Sequence, residues 1–318
     1  PVCRRGGSPT DGEVQALRVA LRTPDPYRGA VTGWTIQGKT ALITGANTGI
    51  GRVTAVELAR HGARVVLAGR SRDRTEPVLA DIRNLSGAIE PAFVELDLAD
   101  LDSVRSAAHT FLERHGPLHV LVNNAGLAGH RGQTKDGFEL TFGVNHLGPY
   151  LFTRILLPRL LESAPARVVN VASKAHYRAT GFDWDALTRS TATVTGLREY
   201  ERSKLANVLF TKSLARAFAP HEIATWSVHP GVVASDIWRR VPWPVRWFMK
   251  RNMITNEEGA EGSLLLATAD DPGAPSGAYF SQTRPKDPNP VADDEALQDE
   301  LWARSASWVG LPTRVRPD

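Results

Sequence analysis

Three residues stand at spacings that could move a proton. Tyr200 and Lys204 are four positions apart. In a helix that is one turn, so both side chains share a face. A phenol, with an ordinary pKa of about 10, is a poor acid or base near neutrality. An adjacent ammonium favours the phenolate and should draw that value down toward the working range. Upstream, Ser173 follows a short apolar run, Arg167–Ala172. A hydroxyl at the C-terminal end of such a strand sits where open α/β sheets bind ligands, and it can hold a substrate oxygen as charge develops there. Hydroxyl, phenol and ammonium together suit proton exchange with a carbonyl or an alcohol.

A second pattern suits an anion. Thr44-Gly45-Ala46-Asn47-Thr48-Gly49-Ile50-Gly51 separates an apolar run, Thr40–Thr44, from a stretch with helical spacing of Val53, Val56, Leu58 and Ala59. Glycines let a loop turn tightly and approach a pyrophosphate, and the helix behind it presents unpaired N–H groups and a positive dipole end. About 20 positions on, a carboxylate would hold the ribose 2′-hydroxyl of NAD. Here Gly69 is followed by Arg70, with Arg72 and Arg74 close behind. Guanidinium groups suit a 2′-phosphate, so NADP(H) is expected in preference to NAD(H), which stays possible.

These residues need a frame to hold them. Further short runs read as strands: Arg64–Ala68, Pro91–Leu96, Leu118–Val122, Glu222–Val228 and Gly277–Phe280. Helical patterns fall between them at Ser103–His115, around Phe142, Val144 and Leu147, at Arg198–Phe218 and at Glu257–Ala269. That alternation predicts an α/β fold: a Rossmann-type, doubly wound parallel sheet of about seven strands with helices on both faces, a three-layer sandwich. Residues 1–37, punctuated by Gly and Pro, read as an N-terminal extension, and 38–318 as one catalytic domain.

Composition excludes other classes. The chain has 318 residues, 42% of them hydrophobic, enough to bury a core without staples. Its single cysteine, Cys3, rules out an internal disulfide and Cys-based zinc sites, and the histidines show no metal-ligand spacing. No metal is expected. Thirty-eight basic residues against 34 acidic ones leave a net charge of +4, spread along the chain, so no nucleic-acid partner is expected. Neither a membrane-spanning apolar stretch nor a signal-peptide core is visible, which points to a cytoplasmic protein.

The glycine loop, Asp97-Leu98, Asn123-Asn124-Ala125-Gly126, Asn145, Ser173, Tyr200-x3-Lys204 and Pro230-Gly231 together resemble the short-chain dehydrogenase/reductase family over about residues 38–280. Val144-Asn145-His146-Leu147-Gly148, Tyr200-Glu201-Arg202-Ser203-Lys204-Leu205-Ala206-Asn207 and His229-Pro230-Gly231-Val232-Val233 are similar to its retinol dehydrogenase and WW-domain oxidoreductase branch. The 27-residue gap from Ser173 to Tyr200 is similar to that branch too. His119 and Ala172 depart from the common pattern, outside the proposed chemistry.

The resemblance implies a hydride-transferring oxidoreductase, a ketoreductase when it runs on NADPH. Tyr200 would be the general acid or base, Lys204 its tuner and a ribose contact, and Ser173 the group polarising the carbonyl. Asn145 would hold a water in a proton relay. Asp97 and Leu98 would meet the adenine, Asn124, Ala125 and Gly126 the cofactor, and Pro230, Gly231, Val233 and Ser235 the nicotinamide carboxamide. Asn124 could instead only brace the strands, and Asp97 only shape a turn. A homodimer or homotetramer through the helices at about 134–162 and 198–219 is also implied. Residues 234–254, with Trp238, Trp243, Trp247, Phe248 and five basic side chains, fall where the family has its substrate lid. An aromatic lid suits a hydrophobic or aromatic small molecule. Simple packing is the next reading and membrane contact the last, since Pro242 and Pro244 interrupt any continuous amphipathic helix. Two other functions fit the same fold: a cofactor-binding regulator or scaffold without turnover, and an epimerase-type enzyme with no net redox change.

Overall fold

In the computed structural model, residues 33–233 and 253–313 are described. Of the expected lid, 234–252 lies outside these residues, as do Ser235 and residues 1–32 of the expected extension.

Six parallel strands make up most of the sheet, largely buried except at the edge strand β3: β1 (Thr40–Thr44), β2 (Arg64–Gly69), β3 (Ala92–Glu95), β4 (Val120–Asn123), β5 (Ala166–Val171) and β6 (Ile223–His229). Their β-branched and apolar content suits strands covered on both faces. β7 (Tyr279–Ser281) and β8 (Arg284–Lys286) complete the order β3-β2-β1-β4-β5-β6-β7-β8. All neighbours pair in parallel except β7 and β8. The sheet therefore has eight strands rather than about seven. β8 reads Arg-Pro-Lys and is exposed throughout, so no apolar run betrays it. A proline is tolerated there because the strand is at an edge.

Side chains alternate across the sheet. Leu42, Val66 and Ala68 enter one core, and Ala41, Ile43, Val65 and Leu67 the other. The first core is covered by α3 (Leu101–Arg114), α5 (Gly148–Glu162) and α6 (Leu197–Phe218), the second by α1 (Gly49–Arg60), α2 (Arg72–Arg83) and α7 (Asn256–Thr268). α4 (Leu140–Phe142) continues into α5 through a π-helical turn, Gly143–Leu147.

A C-terminal helix, α8 (Glu295–Trp308), packs across α5 and α6. Trp302 meets Tyr150 edge-on at 5.3 Å and Phe210 at a tilt at 5.9 Å, and Ser305 meets the His146 ring at 3.0 Å. Part of the helical face expected to join subunits is thus covered by the chain's own end. At the opposite end of the sheet Trp34 and Ile36 are buried. Trp34 donates its backbone N–H to Asp270 and its indole N–H to the Ala267 carbonyl. Among the described residues no helix is long and apolar enough to cross a membrane.

Candidate active site

The strand order reverses direction between β1 and β4, the switch point at which open α/β sheets bind ligands. A cleft of about 1530 Å³ opens there, at the C-terminal ends of the strands. That exceeds the usual pocket for one small ligand.

The glycine loop forms one wall. Gly45 has φ +67° and a Cβ on it would lie 2.9 Å from Ala125. Gly49 has φ +59°. A Cβ on Gly51 would collide with the Asn124 amide. So the loop has room for backbone only. Asn124 braces it, donating to the carbonyls of Thr44 at 2.9 Å and Gly45 at 3.3 Å, while the Thr44 hydroxyl accepts from the N–H groups of Asn124 and Ala125. α2, α3, α7 and α8 each begin with a side-chain cap, from Ser71, Asp100, Thr255 and Asp294. The first turn of α1 has no such cap and no acidic residue. A smooth backbone cradle at an uncapped helix start fits a dinucleotide pyrophosphate.

Farther along, Arg70 and Arg74 line the cleft and are exposed, with no carboxylate partner among the described residues. Arg72 does not line it and pairs with Glu76 at 3.8 Å. Asp97 and Leu98 line the same end; the Asp97 carboxylate accepts from the N–H of Ala99, a local turn, and the helix N-cap is Asp100 instead.

At the other end Ser173, Tyr200 and Lys204 converge, each buried. Ser173, two residues past the end of β5, caps a 3-10 turn, accepting from the Ala175 N–H at 3.2 Å. Tyr200 and Lys204 share one face of α6, as their spacing predicts. Lys204 donates to the Val171 carbonyl at 2.8 Å, and its Nζ lies 5.8 Å from the Tyr200 ring centroid.

The electrostatics differ from the sequence expectation. Burial raises the Tyr200 pKa, and the neighbouring Ser173 hydroxyl pulls it down as the second effect. Burial brings Lys204 down from 10.5 to about 8. Two fully buried groups resist charging more than each helps the other, and the ammonium is directed to a carbonyl rather than to the phenol oxygen. The lysine is the group tuned toward neutrality.

Of the residues expected at the site, Gly45, Asn47, Thr48, Gly49, Ile50, Gly51, Arg70, Asp97, Leu98, Asn124, Ala125, Gly126, Ser173, Tyr200, Lys204, Pro230, Gly231 and Val233 all line this one cleft. Asn145 does not; it stands one layer behind, in the π-helical turn. Its amide donates to the Leu127 carbonyl at 2.9 Å and the Ser203 hydroxyl at 3.0 Å, and its oxygen accepts from the Leu127 N–H at 2.8 Å. A Cβ on Gly126 would lie 3.1 Å from that oxygen and 3.5 Å from the Lys204 ammonium, so Gly126 keeps the two close. π-turns recur at functional sites.

Sequence reasoning missed Asn207 and His146. Asn207, three residues after Lys204 on the same helix, donates to the same Val171 carbonyl at 3.3 Å. His146 is fully buried, its pKa pushed down to about 3 by desolvation and favoured slightly upward by Asn207. The i, i+3 spacing was the available signal for Asn207.

Fold and cleft together define a nucleotide-binding α/β protein with a serine, a tyrosine and a lysine at the reactive end. The family profile described as short chain dehydrogenase matches residues 39–243, and the chain belongs to that family. It is an NAD(P)-dependent oxidoreductase acting on a small molecule. It is 42% identical to bovine (Bos taurus) dehydrogenase/reductase SDR family member 13 over 90% of this chain and 76% of that protein. It is 39% identical to human (Homo sapiens) retinol dehydrogenase 13, covering 87% of this chain and 86% of that one, which places it in the retinol dehydrogenase branch. Among solved structures, an uncharacterized protein from Mycobacterium paratuberculosis aligns with TM-score 0.69 and 31% identity over 89% of this chain and all of the other. A 3-ketoacyl-(acyl-carrier-protein) reductase from Brucella melitensis, complexed with NADH, aligns with TM-score 0.62 and 25% identity over 81% of this chain and all of the other.

Proposed function

We propose that the protein is an NADP(H)-dependent reductase of apolar carbonyl compounds, with Tyr200 as general acid. The observation that carries this reading is the meeting of buried Ser173, Tyr200 and Lys204 at one end of a cleft whose far end presents Arg70 and Arg74. A bound nicotinamide supplies or accepts the hydride. Ser173 orients the substrate oxygen by hydrogen bonding. Tyr200 gives its phenolic proton to that oxygen in reduction and takes one back in oxidation. Lys204, held by the Val171 carbonyl, is the cation nearest to the phenolate left on Tyr200, and Asn145 holds the Leu127 backbone and Ser203 in place behind it. Arg70 and Arg74 are free to grip a 2′-phosphate, which favours NADPH and hence reduction.

The named relatives support an apolar substrate of the retinoid kind, and Leu127, Leu140, Val144 and Leu197 give the cleft an apolar flank. An oligomer built on α5 and α6 would have to use the parts of them that α8 leaves uncovered. The deciding assay follows absorbance at 340 nm with NADPH and NADH in parallel, against retinaldehyde, aliphatic aldehydes and ketones. Consumption of NADPH with an apolar carbonyl is expected. No change with any compound would refute the reading.

A further inference from the structure

The charges of the cleft do not balance once the cofactor has taken its share. Six basic side chains line it: Arg70, Arg74, Lys174, Arg178, Lys204 and Lys286. A dinucleotide phosphate engages Arg70 and Arg74, and Lys204 belongs to the tyrosine pair. Lys174, Arg178 and Lys286 remain, at the substrate end.

Only one carboxylate lines that end, Glu201, and it pairs with Arg178 at 3.6 Å. Lys174 and Lys286 have no carboxylate partner among the described residues. Lys286 instead lies over the Tyr177 ring, 5.2 Å from its centroid, and Tyr177 is pinned by a hydrogen bond to the Asp287 carbonyl at 2.5 Å. The two lysines share one field. Buried His229, at the end of β6, is held neutral first by desolvation, with the charges of Lys174, Lys204 and Lys286 acting in the same direction. Lys174 and Lys286 both line the cleft and both act on this one residue, so they face the same part of it.

Topology gives this charge a side. Leu127 follows β4, Lys174 follows Ser173 just past the end of β5, and His229 ends β6, while Lys286 reaches the cleft from the antiparallel edge strand β8, level with Tyr279. Along the order β4-β5-β6-β7-β8, Ser173 therefore stands between an apolar flank toward β4 and a cationic flank toward β8. A carbonyl held at Ser173 has one substituent directed to each flank.

We infer that the preferred substrate is an anionic oxo compound: a ketone with a hydrocarbon arm toward Leu127, Leu140 and Val144, and a carboxylate, or a group of like charge, toward Lys174 and Lys286. The inference rests on the proposed carbonyl reduction for the orientation at Ser173, and its test separates the two. Unpaired cations at the wall of a cleft focus a positive potential that draws anions in and weakens with salt. Exposed ion pairs are individually modest, so two of them amount to about a tenfold preference.

The experiment measures equilibrium binding of 4-oxododecanoate and of its methyl ester to the protein saturated with NADP⁺, a pair that cannot react. The acid should bind about tenfold tighter than the ester at low salt, with the ratio shrinking at high salt. In the Lys174→Gln/Lys286→Gln double variant the ratio should fall to near one. Equal binding of acid and ester by the unaltered protein overturns the inference, and so does an acid preference that survives in the double variant. Reduction of the two compounds with NADPH is followed separately at 340 nm. Selective binding of the acid without any reduction would sink the proposed reaction while leaving the anion preference standing.

Discussion

Strand β5 carries a buried cation at each end, and the two are treated differently. Arg167, near its start, is 1% exposed, and Lys204, which reaches its end through the Val171 carbonyl, is 3% exposed. The arginine donates to the carbonyls of Leu266 at 2.9 Å, Ala269 at 2.7 Å and Asp270 at 3.4 Å. These close the C-terminal end of α7, where the helix dipole is negative. Its guanidinium also lies 4.1 Å from the Trp34 ring centroid and 5.5 Å from that of Trp226. With that compensation, burial lowers its pKa only to about 10, so it stays charged near neutrality. Lys204 has a single carbonyl and an open cleft, and burial takes it to about 8. A cation whose two terminal NH2 groups reach three acceptors, with only its Nε unpartnered, is a fastener. One left with a single acceptor can titrate and do chemistry.

The sharpest way to break this contrast is at the reactive end. Tyr200→Phe should lower kcat by about 10²–10⁴-fold, the range of a lost general acid, while the dissociation constant for NADP(H) stays within a few-fold. Stopped-flow turnover and cofactor fluorescence read the two separately. A variant with near-normal kcat would show that Tyr200 does not carry the proton.

Next come the cations themselves, exchanged for methionine in turn. Arg167→Met strands three carbonyls and should cost about 2–4 kcal/mol in urea unfolding, with kcat/KM per folded molecule unchanged. Lys204→Met should do the reverse: a loss of roughly 10²-fold or more in kcat with stability kept or raised, because a buried charge is removed. If both variants lose stability alike and keep activity alike, the two ends of β5 do not differ in kind.

How visible these ends were in the sequence follows the same division. The gathering of these residues in one cleft was legible because its signals are local: a glycine loop after a strand, a Tyr and a Lys one turn apart, a Ser just past a strand end. The central strands were legible as short apolar runs. Arg167 was not, since it reads as a polar intrusion in a strand and its partners lie about 100 positions away, at Leu266 and Ala269. α8 was missed because its apolar face is spread thinly, and what fixes it is contact with Tyr150 and Phe210. α2 was missed among its Arg, Asp and Glu residues and an internal Pro77, a strong breaker signal. His146 is equally nonlocal, meeting Ser305 from 159 positions away.

Titration gives a finer test. The folded value for Lys204, about 8, lies below its ordinary 10.5. Between those values the unfolded chain binds the extra proton, so this group's contribution to stability rises as pH increases through the window. Below about pH 8 its burial cost is present in full. Wild-type stability relative to Lys204→Met should therefore climb from pH 8 toward 10.5, by at most about 3 kcal/mol. Over the same range kcat/KM for reduction should fall as the ammonium is lost, with an alkaline limb near 8. A flat profile to pH 10 would contradict the assignment of Lys204 as the tuned group. Arg167→Met should show no such limb of its own.

The smallest effect expected is at the exposed arginines, where the contrast extends to the surface. Arg70 and Arg74 line the cleft with no carboxylate partner among the described residues, whereas Arg72 is turned to Glu76. A guanidinium with no protein partner has its donors available for a phosphate, and one already paired contributes less. Arg70→Ser should weaken NADPH binding by about tenfold and leave NADH nearly unchanged, since a single exposed charge contact to phosphate is worth on the order of 1 kcal/mol. Arg72→Ser should change neither. The preference should also fade as salt rises, because exposed contacts are screened where buried ones are not. Were Arg72→Ser to lose NADPH and Arg70→Ser to keep it, the pairing with Glu76 would not be what decides which arginine meets the cofactor.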